Sequence, residues 1–249
     1  MAPLAVGGGR ALHTVLAGVG AFLLLMILFG FSESETPDPN RRLAPSVVAR
    51  NYVRVLTHPS CLGYLLVSAA AFGSLFAYVS GSSLFLINVV GLRPQQYGLV
   101  FAATSLGIMG GSSLSGRLNT LKVAPSYSLM LGLVLATATT MTLLVVTLAG
   151  WMPLPVVIPQ LVVGNLAFGL IMPNAMERAM QPLPQIAGAA GAAMGFSQMA
   201  MGAASSGLVA ILYDGHSALS MTSLMVLCSV LALAVYLLVA RPAEYAEPL

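Results

Sequence analysis

The sequence predicts an all-α integral membrane protein with seven transmembrane helices. Of its 249 residues, 58% are hydrophobic and only 7% are charged, and the mean hydropathy is +0.92. A soluble domain carries roughly 25% charged residues, so these few charges cannot cover a surface exposed to water. The apolar residues also fall into runs close to the ~20 residues that a helix needs to cross a bilayer.

The seven apolar runs are separated by polar connections, most of them short. The predicted spans are 14–31, 61–85, 96–114, 126–149, 154–173, 186–213 and 218–240. They divide the chain into an N-terminal remnant with the first span (1–31), a cytoplasmic linker (32–59), a six-helix bundle (60–240) and a cytoplasmic tail (241–249). Several spans contain proline or glycine, which membrane helices tolerate because neighbouring groups satisfy the freed backbone.

The linker is predicted to contain an amphipathic helix that lies along the membrane surface. Arg50 and Arg54 lie away from its apolar face. That face consists of Ala44, Val48, Tyr52, Val55 and Leu56.

Two stretches share a pattern that suggests an internal repeat. P-Q-x-x-G begins at Pro94 and again at Pro184, and each copy leads into a run of small residues. Both runs contain G-x-x-x-G, a spacing that lets two helix backbones approach closely. The pairs are Gly107 with Gly111 and Gly191 with Gly195; Gly188, which ends the second P-Q-x-x-G, is also expected to serve helix packing. Each copy opens the middle span of a group of three, as in an inverted three-plus-three repeat.

The cations predict the orientation, because cytoplasmic loops are enriched in Lys and Arg. With the linker in the cytoplasm, the opposite side holds only Arg10 and Arg93. The C-terminus is then cytoplasmic and the N-terminus lies outside. Residues 1–9 also read as the tail of a preceding span, so we expect the chain to be the back portion of a longer protein. The cytoplasmic cations are Arg41, Arg42, Arg50, Arg54, Arg117, Lys122, Arg178 and Arg241.

Three stretches resemble the Bcr/CflA drug-resistance transporters of the major facilitator superfamily. Residues 76–118 (FAYVSGSSLFLINVVGLRPQQYGLVFAATSLGIMGGSSLSGRL) are similar to the hairpin of that family's spans seven and eight. Residues 169–203 (GLIMPNAMERAMQPLPQIAGAAGAAMGFSQMAMGA) are similar to the junction of spans ten and eleven, and residues 10–20 (RALHTVLAGVG) to the start of span six.

The resemblance covers the rear half of the family's length. It implies a twelve-span exporter in the bacterial inner membrane that is driven by protons and acts on small drugs such as bicyclomycin, sulfonamides and phenicols. This chain departs from the pattern because the front half is missing apart from a trace of span five. In addition, the loop 116–125 has only Arg117 and Lys122 where the superfamily often has a fuller motif of glycine, acid and base.

Polar side chains inside the spans are the candidate substrate-cavity residues. An unpaired amide in hydrocarbon costs a few kcal/mol, so each should face protein or a water-filled cavity. The alternative for each is a hydrogen bond that only holds two helices together. Gln160 and Gln198 are the strongest candidates for the cavity because both lie well inside their spans. The full set is Tyr78, Ser80, Asn88, Gln160, Asn165, Asn174 and Gln198.

Two classes of function remain open. The first is a multidrug efflux transporter, and the second is a membrane subunit or remnant that does not transport and packs with a separate bundle. The sequence predicts no enzyme, no cofactor and no metal site, and its scattered cations make no stripe for nucleic acid. None of the seven acidic residues lies at mid-span, so in a proton-coupled transporter the titrating group should lie in the front half.

Overall fold

The computed structural model describes residues 4–30 and 45–246, and within those ranges the chain is helical with no strand. Seven helical segments are long and apolar enough to cross a membrane, which confirms the predicted fold class. The helices are α1 (Leu4–Gly30), α2 (Pro45–Thr57), α3 (Pro59–Ser83), α4 (Pro94–Thr120), α5 (Pro125–Leu148), α6 (Leu154–Met180), α7 (Ala187–Leu212), α8 (Leu219–Val235) and α9 (Arg241–Ala246). A π-helical turn extends α3 (Leu84–Val89), another joins α8 to α9 (Tyr236–Ala240), and a 3₁₀ turn precedes α7 (Pro184–Ile186).

The chain forms two compact units, Met1–Leu43 and Ala44–Leu249. The first contains α1, whose apolar stretch is His13–Gly30. Residues 32–44 of the predicted linker, which include Ala44, lie outside the described residues. The second unit contains α2 to α9 and carries every candidate cavity residue.

Two central helices, α3 and α6, organise the second unit. α3 packs against α6, α7 and α8, whereas α6 packs against α3, α4 and α5, and α5 also packs against α8. If α3, α4 and α5 exchange places with α6, α7 and α8, respectively, the same set of contacting helix pairs results. The three helices of each group cross the bundle three times, so the second group starts at the end opposite to the start of the first. Such an arrangement is typical of an inverted repeat. The two P-Q-x-x-G stretches fall at the starts of α4 and α7, the equivalent middle helices.

The two ends of the bundle differ in charge. At one end the start of α3 contacts the end of α6, where the Cys61 thiol donates to the carbonyl of Ala179 at 3.2 Å. We call this the basic end, since the described cations Arg117, Lys122, Arg178 and Arg241 lie there. At the opposite end, three connections turn through glycines with positive φ: Gly91 (80°), Gly150 (66°) and Gly215 (79°).

Glycines allow the close crossing of α4 and α6. A Cβ on Gly107 would lie 2.6 Å from the carbonyl oxygen of Val162, and a Cβ on Gly111 would run into the carbonyl of Leu166. The first G-x-x-x-G pair therefore sits where two backbones meet, as its pattern predicts. A Cβ on Gly169 of α6 would likewise be too close to the backbone of α4.

The second set of glycines does not form such a crossing. A Cβ on Gly191 would meet only the flexible end of Met180, at 3.0 Å, and a Cβ on Gly188 or Gly195 would meet no atom within 4 Å. Gly188 and Gly195 therefore make no close contact with another helix among the described residues, and their packing role remains a prediction. The close approach of α7 to α3 is made instead near Gly202, which lies against the rings of Phe72 and Phe76.

The sequence predicts that the fifth span ends at Pro173. In the structure, helix α6 continues to Met180. A proline inside a helix leaves the carbonyl four residues earlier without its usual donor. Here that carbonyl belongs to Gly169, and the Ser112 hydroxyl of α4 donates to it at 3.3 Å. A neighbouring helix thus satisfies the freed backbone group, as membrane helices with an internal proline often show.

Asp214 forms the turn between α7 and α8 and should titrate unusually low. Its carboxylate accepts the backbone N–H groups of His216 and Ser217, each at 2.9 Å, and the Ser217 hydroxyl at 2.6 Å. These bonds, the hydroxyl first, lower the pKa of Asp214 from 3.8 to about 2. Because the folded pKa is depressed, the stabilisation is present above pH 3.8 and is lost as the pH falls through about 2.

We expect the NMR titration midpoint of the Asp214 side-chain carboxyl to lie near 2 and to rise toward 3.8 in Ser217→Ala. The thermal stability of Asp214→Asn should fall below that of the wild type at pH 7, and the gap should close toward pH 2. A midpoint unchanged by Ser217→Ala would show that the hydroxyl is not the main cause.

Candidate functional site

The helices α3, α5, α6 and α8 enclose a small cavity with a partly polar lining. Its volume is about 30 Å³, which is room for one or two water molecules. Two of the predicted residues, Tyr78 and Asn165, line it. Three further hydroxyl side chains share the lining: Ser74, Thr140 and Ser229.

The polar groups of the cavity are largely paired within the protein. The hydroxyls of Thr140 and Ser229 join α5 to α8 at 2.8 Å. The Ser74 hydroxyl donates to the carbonyl of Met225 at 3.2 Å, and the Asn165 amide donates to the carbonyl of Leu161 at 2.8 Å. The lining includes no carboxylate, imidazole or amine, so nothing in it changes charge near neutral pH.

Tyr78 connects this cavity to α4. Its hydroxyl and that of Thr104 lie 2.6 Å apart, and its ring stacks on Phe101 with centroids 6.3 Å apart. One turn further on, the hydroxyls of Ser82 and Tyr97 lie 3.2 Å apart. These contacts hold the first turns of α4 against the far end of α3 through paired hydroxyls and aromatic faces.

Ser80 and Asn174 form hydrogen bonds between helices. The Ser80 hydroxyl donates to Ser206 of α7 at 2.8 Å. The Asn174 amide donates to Ser115 of α4 at 2.8 Å and to the carbonyl of Leu170 at 2.6 Å. The Asn174 side-chain oxygen is buried and has no hydrogen-bond partner in the described part of the chain. Neither residue lines the cavity.

Neither Gln160 nor Gln198 lines this internal cavity. Gln160 is half-buried and lies one turn of α6 before Gly164, which lines the cavity. Gln198 is half-buried and lies four residues before Gly202, on the α7 face that meets α3. Asn88 is exposed on the π-helical turn after α3. Position along a span did not reveal which polar side chains line the cavity, because this depends on the rotation and the relative height of each helix in the bundle.

Several residues of the site were not predicted. Thr104, Thr140 and Ser229 were missed because hydroxyls are common in membrane helices and can bond to their own backbone, as Thr140 does to Ala136 at 2.9 Å. The run TATTMT in α5 could have pointed to Thr140. An aromatic group between α3 and α6 also carried no sequence signal. Phe72 stacks on Phe76 at 4.8 Å and meets Phe168, which also lines the cavity, at 6.1 Å.

Comparison with known proteins places these features in a family. Residues 3–210 match the Major Facilitator Superfamily. The chain is 29% identical over 203 residues to a bicyclomycin resistance protein homolog of Haemophilus influenzae, covering 81% of this chain and 50% of that protein. It is 26% identical over 190 residues to the uncharacterized MFS-type transporter YdgK of Bacillus subtilis, covering 76% of this chain and 47% of the relative.

The chain thus spans about half the length of these curated relatives. No solved structure matches it significantly. The first relative confirms the resemblance to the Bcr/CflA transporters. The family match covers most of the chain, and the described bundle is a set of membrane-length helices arranged as two groups of three. The chain therefore belongs to the Major Facilitator Superfamily.

Proposed function

We propose that this chain is the rear half of a drug efflux transporter that exchanges a small molecule for protons together with a second six-helix bundle. The observation that carries the proposal is the pairing of α3–α5 with α6–α8 as inverted groups of three, which is the plan of one half of such a transporter. The named activity of the Haemophilus influenzae relative, bicyclomycin resistance, supports a drug-like substrate.

The size of the cavity is the reason for a second bundle. Ligand pockets for drug-sized molecules measure roughly 300–1,000 Å³, whereas the cavity inside this bundle is about 30 Å³. Substrate would instead lie between the two bundles, near the bilayer midplane, where transporters of this plan bind their cargo. The cavity described above would then be a small polar region inside one half of the transporter and would not hold the substrate.

Proton coupling also points to a partner. The acidic side chains that the structure describes, Glu177 and Asp214, are exposed at opposite ends of the bundle. A titrating group in the transport path is usually an intramembrane Asp, Glu or His. We therefore place the coupling group in the front half. We also propose that the protein is a multi-pass protein of the bacterial inner membrane, with the basic end and the C-terminus in the cytoplasm.

Reconstitution in liposomes with an imposed pH gradient tests this function. We expect no gradient-dependent movement of bicyclomycin by the chain alone. Saturable movement that collapses with a proton ionophore should appear when the chain is fused behind the front half of the Haemophilus influenzae relative. The control is the same front half with that relative's own rear half.

Two outcomes would contradict the proposal. Saturable, gradient-driven movement by the chain alone would show that no second bundle is needed. A fusion that folds and stays inactive, beside an active control, would favour a membrane subunit that packs with a partner and does not transport.

A further inference from the structure

Helix α2 is docked on the basic end of the bundle. It packs against α3 and α7, and its Val55 side chain is only 1% exposed. Tyr52 packs against the same core cluster. α3 starts at Pro59, two residues after the last residue of α2. If α3 crosses the bilayer, this connection holds α2 at the level of the membrane surface.

The outer side of α2 has two different flanks. Ala49, Val53 and Leu56 follow each other at helical spacing and are exposed, Val53 by 57% and Leu56 by 48%. Arg50 and Arg54 lie one turn apart on the other flank and are also exposed. An apolar stripe beside a basic stripe is typical of a helix that lies in the interface of an anionic membrane.

Other charges at this end add to the positive field. Arg117, Lys122 and Arg241 are exposed at this end, and the acidic side chain of Glu177 is exposed there too. Clustered cations raise the local concentration of anionic groups. Juxtamembrane basic segments bind acidic lipid surfaces by this attraction.

We propose that the outer face of α2, formed by Ala49, Arg50, Val53, Arg54 and Leu56, is a docking surface for anionic phospholipids. The guanidinium groups bind headgroup phosphates, for which their planar donor geometry is suited. The apolar flank enters the boundary between headgroups and acyl chains. The inner face, through Val55 and Tyr52, transmits this anchoring to α3 and α7. The proposal is independent of transport, because it concerns only α2 and the bundle end.

Hydrogen exchange of the full chain in lipid nanodiscs tests this surface. Amide exchange of residues 45–57 is compared between phosphatidylcholine discs and discs that also contain phosphatidylglycerol. We expect exchange to slow in the anionic discs by roughly fivefold for each arginine at low salt. The protection should weaken at high salt, which screens surface charges.

A matched pair of variants separates local binding from the general field. The double variant Arg50→Gln with Arg54→Gln should lose the lipid effect on α2. The control, Arg117→Gln with Lys122→Gln, removes the same amount of charge from the same end of the bundle. In this control, α2 should still be protected by anionic lipid. Unchanged exchange in α5 would show that the bundle remains folded in both.

Three results would overturn the proposal. The first is equal exchange of α2 in both kinds of disc, which would favour a protein partner or no partner for this face. The second is an equal loss of the lipid effect in the two double variants, which would leave only a diffuse field. The third is protection that survives removal of both α2 arginines.

Discussion

Valine at position 111 should prevent α4 from packing against α6. A Cβ at this position would run into the backbone carbonyl of Leu166 and would lie 3.1 Å from the Cα of Gly169. Overpacking costs typically 1–3 kcal/mol when side chains can move aside, but here the obstacle is the backbone of α6. We therefore expect Gly111→Val to lower the free energy of unfolding by about 3 kcal/mol or more.

The neighbouring glycine provides a matched control. Gly110 is exposed, and a Cβ on it would meet no atom within 4 Å, so Gly110→Val introduces the same side chain at open space. Unfolding in mild detergent, followed by circular dichroism, should separate the two variants clearly. Similar stability of both would show that the close crossing of α4 and α6 contributes little to the fold.

The second large effect is expected at the basic end, where α3 meets the end of α8. A Cβ on Gly63 would lie 2.7 Å from the Cα of Ala240 and 3.0 Å from its nitrogen. Gly63→Val should therefore push the π-helical turn Tyr236–Ala240 away from α3. We expect a loss of about 2–3 kcal/mol in the free energy of unfolding.

Limited proteolysis and thermal unfolding in detergent would measure this loss. Gly116 lies at the same end, is exposed and has open space around its Cα, so Gly116→Val serves as the control. We expect new cleavage after Tyr236 in Gly63→Val and none in the control. Cleavage and melting like those of the wild type would contradict a tight contact between these ends.

The interior of α6 shows how far local sequence signals reach. Pro173 suggests the end of a span, since a proline removes a backbone donor. The helix nevertheless continues to Met180, and Ser112 of α4 donates to the carbonyl of Gly169, which Pro173 leaves without its helical donor, at 3.3 Å. Ser112 is 57 residues away in the chain, so this contact could not be predicted from the local sequence of α6.

The sequence by itself determined the number of spans and the G-x-x-x-G crossing at Gly107 and Gly111, and it placed the two P-Q-x-x-G stretches at the starts of two middle helices. These features are local, because hydropathy over ~20 residues and the spacing of small residues are properties of one segment. The tertiary structure decided which polar side chains meet. Tyr78 and Asn165 line one cavity, whereas Gln160 and Gln198 do not line it. The direction of a side chain depends on the rotation of its helix, and contacts with helices distant in the chain set that rotation.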